Sequence, residues 1–129
     1  MLLLLENPNT NIINKNKLAL SLAETKDIRV LNVLHQLILN DNNKNCRGTF
    51  VYALQSFPSS LSFNIAIDLI MYGNFEVAHE AFLIINNAED IEGDNVKKAY
   101  MKLSNFQKNN HWSDDWRENL INDSIEMFR

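Results

Sequence analysis

Apolar residues return every three or four positions along almost the whole chain, and only short polar breaks interrupt them. That period is the helical one, so the pattern predicts an all-α protein. Leu2 to Glu6 reads as a short first helix stopped by Asn7-Pro8-Asn9. A second runs from about Thr10 to Ala23, with Ile12, Ile13, Leu18, Ala19 and Leu22 inward. Asp27 is placed to cap the next, whose Ile28, Leu31, Leu34, Leu37 and Ile38 share one face. Arg47 to Ser56 forms another, with Phe50, Ala53, Leu54 and Phe57 inward. Pro58-Ser59-Ser60 opens one that reaches Tyr72 through Leu61, Ile65, Leu69 and Ile70.

Gly73 suits a left-handed residue after that helix, and Asn74 a cap for the helix from Phe75 to Asn87. Further helices are expected from about Asn95 to Lys108 and after a Ser113 cap, where Asp114 and Asp115 suit the positive end of a helix dipole. The connections are short, which favours antiparallel neighbours. Helix starts near Asp27, Ser59 and Asp94 recur at roughly thirty residues, a solenoid-like period. In the partner helices, Ala53-Leu54 and Ala81-Phe82 each put a small residue before a large one, allowing close approach. The expectation is a single domain over residues 1–129, built as stacked antiparallel helical hairpins.

Three Gly and two Pro leave too few turn residues for an all-β chain of 129 residues. The net charge is −4, and Lys15, Lys17, Lys97, Lys98 and Lys102 look scattered, so the basic face of a nucleic-acid binder is not expected. Acidity fits either an ordinary cytosolic protein or a surface suited to a basic partner. Asn-rich patches such as Asn40 to Asn45 are read as compositional bias with some capping. Cys46 is alone, which leaves no disulfide framework and no multi-Cys metal site. The apolar start, Leu2 to Leu5, is about one helical turn and too short for a signal peptide or membrane span, so a cytoplasmic location is expected.

No phosphate loop, nucleophile elbow or metal-ligand spacing is found, and neither enzyme activity, a cofactor, a metal nor a small-molecule substrate is expected. His35, His79 and His111 lie on different elements. Glu76 and Glu80 stand four apart on one helix edge, as a solvated face or a partner contact. Trp112-Ser113-Asp114-Asp115-Trp116 joins two interface-prone rings to two carboxylates, with Trp116 also placed to enter a core and Trp112 to staple a helix end. Tyr52 and Tyr72 leave the same choice open between core and surface.

Three stretches, Asp27 to Leu31, Arg47-Gly48-Thr49-Phe50-Val51-Tyr52-Ala53-Leu54 and Tyr72-Gly73-Asn74-Phe75-Glu76-Val77-Ala78-His79-Glu80-Ala81, carry a resemblance. Together they resemble bacterial HEAT-like immunity proteins of contact-dependent growth inhibition and polymorphic toxin systems. The likeness runs from about Asn7 to Phe106, and the last hairpin matches least. It implies a HEAT-like α-solenoid that binds a cognate toxin domain one-to-one and covers its active site; it does not say which toxin, though the chain's acidity suits a nuclease with a basic cleft. Without that resemblance, the repeat implies only a helical adaptor between two proteins. The expected contact residues are Tyr52, Tyr72, Glu76, His79, Glu80, Trp112, Asp114 and Asp115, with no nucleic acid or membrane as partner.

Overall fold

The computed structural model describes residues 2–109 and 115–128, and among them every regular element is a helix. In order these are α1 (Leu2–Glu6), α2 (Ile12–Ala23), α3 (Ile28–Leu39), α4 (Gly48–Ala53), α5 (Phe63–Tyr72), α6 (Phe75–Asn86), α7 (Gly93–Asn109) and α8 (Asp115–Met127). Short 3-10 turns occupy Asp41–Asn43, Leu54–Ser56 and Ser59–Ser62. The chain divides into two compact units, Met1–Pro58 and Ser59–Arg129. Among the described residues no helix is long and apolar enough to cross a membrane.

In the first unit α2 packs on α3 and α4, and α1 lies against α2 and α3. Asn11 caps α2 by accepting from the Asn14 amide at 2.9 Å, which satisfies one of the N–H groups that a helix start leaves unpaired. Asp27 caps α3 as expected, accepting from the Arg29 amide at 2.9 Å. The Arg29 guanidinium also binds that carboxylate, at 2.6 Å, and the hydrogen bonds hold the Asp27 pKa down to about 2. Leu31, Leu34, Ile38, Phe50, Val51 and Leu54 form the buried centre. Each large side chain buried there is worth about 1.5–3 kcal/mol relative to exposure.

Three residues expected to face inward do not. Ile13 is 65% exposed, because the buried row of α2 is Lys15, Ala19 and Ala23. Ile28 is 54% exposed at the first position of α3, ahead of the packed stripe that begins with Val30 and Leu31. Leu61 lies in the 3-10 turn before α5 rather than within the helix. The tighter three-residue turn changes its angular position and leaves it half-exposed.

In the second unit α5 packs along α6, α7 contacts α5, and α8 lies against α5, α6 and α7. Ala66, Ala78 and Ala81 are fully buried among Ile67, Ile70, Ile84, Leu103 and Ile121. Asn74 caps α6, accepting from the Val77 amide at 2.9 Å. Gly73 is not left-handed; its φ of −74° and ψ of 161° are extended. A glycine is needed for space instead: a Cβ would lie 2.6 Å from the Leu69 carbonyl oxygen and 2.7 Å from Val77 Cγ1. The left-handed positions fall on Lys26 (φ 58°), just past α2, and Asp90 (φ 56°). Lys26 there donates its amide to the Ala23 carbonyl at 3.0 Å, closing the helix end.

Candidate functional site

A half-buried arginine anchors the most distinctive surface of the second unit. Arg117, in the first turn of α8, donates through Nη1 to the carbonyls of Ile70 (2.9 Å) and Met71 (2.8 Å), and through Nη2 to that of Gly73 (2.6 Å). These are among the carbonyls that the end of α5 leaves without helical partners, and a cation there also opposes the negative end of the helix dipole. The guanidinium lies 4.5 Å from the centroid of the Trp116 ring. Fixing Arg117 therefore fixes Trp116 beside α6, with a cation over its face.

Trp116 then meets the start of α6. It stands edge-on to Phe75, with centroids 5.3 Å apart and planes at 75°, and 5.6 Å from the His79 ring. Phe75 and His79, one turn apart on α6, lie 4.1 Å from each other. His79 Nδ1 is 2.7 Å from the Phe75 carbonyl oxygen. A carbonyl only accepts, so Nδ1 carries the proton in this contact. Phe75 is 58% exposed and Tyr72, at the end of α5, 63%. Tyr72 is supported edge-on by Phe106 at 5.2 Å. The result is an aromatic edge that is ordered by its neighbours yet presented to solvent.

Of the residues expected to contact a partner, Tyr72, Glu76 and His79 belong to this edge or adjoin it. Glu76 is exposed in the first turn of α6. Glu80 is half-buried and already engaged, so the two glutamates are not equivalent halves of one acidic strip. Tyr52 is 54% exposed on α4, in the first unit. Trp112 and Asp114 lie outside the described residues, as does the side chain of Asp115, the first residue of α8. Among the described residues no group of three His, Cys, Asp or Glu side chains is arranged to hold a metal ion.

Phe75, Trp116 and Arg117 were not singled out as contact residues from the sequence. Phe75 carried a signal, since it follows the cap directly and falls off the buried row of Val77, Ala78, Ala81 and Ile85. An aromatic ring at such a position has no core to enter. Arg117 carried none, because its partners lie 44 to 47 residues away. Compared with protein-family models, curated proteins and solved structures, the chain finds no match in any of the three.

Proposed function

We propose that this chain is a HEAT-like α-solenoid immunity protein, cytoplasmic, that binds one cognate bacterial toxin domain and neutralises it by covering its active site. The observation that carries this reading is the aromatic edge on which exposed Phe75 and Tyr72 stand beside half-buried His79 and Trp116. Aromatic anchors pre-positioned by their neighbours lose little conformational entropy on binding, and such residues dominate the energetics of protein interfaces. Glu76 beside the edge and a net charge of −4 favour a basic partner, which suits a nuclease. The similarity of the Arg47 to Leu54 and Gly73 to Ala81 strings to immunity proteins supports the same reading.

The direct test is to express the chain with the toxin encoded immediately upstream of it. Protection of the host, together with a one-to-one complex by light scattering, is the expected result. A pair that neither associates at micromolar concentration nor protects would sink it, and would leave the repeat as an adaptor of two other proteins.

A further inference from the structure

A second surface of the same unit is grooved, with a polar row set beside Met71, Tyr72 and Phe106. One flank of α7 carries Asn95, Lys98, Lys102, Asn105 and Asn109 at alternating spacings of three and four, so they form one row along the helix. Facing it, α5 contributes Asn64, Asp68 and Tyr72, each four residues on from the last. Along them lie two hollows of about 470 and 180 Å³, each with Lys102 in its wall. From Asn95 to Asn109 the row spans about 21 Å at 1.5 Å per residue, the length of roughly six residues of extended chain.

The chemistry of the row is specific. The carboxamides of Asn64, Asn95, Asn105 and Asn109 make no hydrogen bond among the described residues. Each offers an acceptor and two donors, the complement of a peptide group's N–H and C=O. Lys98 and Lys102 both line the smaller hollow, and Asp68, in the wall of the larger one, holds Lys102 at 3.3 Å. Both partners of that pair are about half exposed, at 54% and 48%, so an incoming carboxylate displaces little in recruiting Lys102.

We propose that the α5–α7 groove takes an extended acidic segment of a partner protein, its backbone paired to the asparagine carboxamides and its carboxylates to Lys98 and Lys102. Charge selects the partner and the carboxamides align its backbone, leaving the side chains between the acidic positions unspecified. The groove meets the aromatic edge at Tyr72, but its asparagine and lysine row is distinct from that edge, and its occupancy does not depend on the chain being a toxin inhibitor.

The test titrates the intact, isotope-labelled protein with a capped nonapeptide of alternating Asp and Ala. Saturable shifts in the side-chain amide signals of Asn95, Asn105 and Asn109 are expected. The double variant Lys98→Gln/Lys102→Gln should weaken binding at least about tenfold, as loss of charge-assisted hydrogen bonds implies. A backbone N-methylated peptide of the same charge should bind at least about tenfold more weakly, because its N–H donors are gone. Absence of saturable shifts overturns the proposal, and so does equal binding of the N-methylated peptide, which would reduce the groove to a charge effect. Tighter binding of a thymidine nonanucleotide than of the peptide would also overturn it, in favour of a phosphate backbone.

Discussion

The guanidinium of Arg117 donates to the carbonyl of Gly73 at 2.6 Å across 44 residues of sequence. That bond ties the first turn of α8 to the turn between α5 and α6, and it sets the position of the Trp116 ring. Replacing Arg117 with Ala leaves three carbonyls to water or to nothing. The expected cost is about 1.5–3 kcal/mol, the range for hydrogen bonds from a charged donor. Lys keeps the charge but not the fork, and should recover less than half of the loss. Denaturant midpoints measure both, and a Lys variant as stable as the parent would show that charge alone matters.

Gly73 and Gly93 should respond oppositely to alanine. At Gly73 the new methyl meets backbone and a β-branched side chain within 2.7 Å, and overpacking of that kind costs about 1–3 kcal/mol. At Gly93, the first residue of α7, no atom beyond its chain neighbours and its own helix turn lies within 4 Å of the added carbon. Alanine there should be neutral or stabilise by up to about 1 kcal/mol, through the unfolded chain and helix propensity. Thermal unfolding of the pair distinguishes the two effects.

Burial holds the His35 imidazole below its ordinary value of 6.5. The unfolded chain therefore binds a proton first as the pH falls through that value. The stability contributed by neutral His35 is complete above it and declines below it. His35→Gln should flatten the dependence of the urea midpoint between about pH 7.5 and 5.5. Parallel pH profiles for parent and variant would assign the slope to other groups.

Phe75→Ala tests the aromatic edge. Because Phe75 is mostly exposed, folding stability should change by no more than about 1 kcal/mol, whereas loss of an interface anchor costs about 2 kcal/mol or more, or roughly thirtyfold in affinity. Titration calorimetry against the toxin that the proposed function requires reads the second quantity. An unchanged affinity would move the contact surface elsewhere.

Helix placement was legible to within a few residues because it depends on local periodicity and caps. Asp27 and Asn74 each accept the amide bond that their position before an apolar run predicts. Errors came at helix ends, as at Ile28 and Leu61, where packing depends on which neighbours reach that far. Gly73 was placed correctly at a helix end but for another reason: what matters there is the nearness of Leu69 and Val77. The lysines looked scattered in the sequence. In the folded chain Lys15 is buried on α2, while Lys98 and Lys102 line one groove.

The sequence by itself determined that this chain is helical, roughly where most of its helices lie, and the buried stripe of α3. Those properties follow from backbone periodicity and from bonds spanning two to four residues. Only tertiary structure decided which surfaces are formed, because each is made of residues brought together from different helices. Arg117 closing α5, Trp116 supporting Phe75, and the row on α7 facing Asp68 and Tyr72 all depend on helix packing that no local pattern encodes.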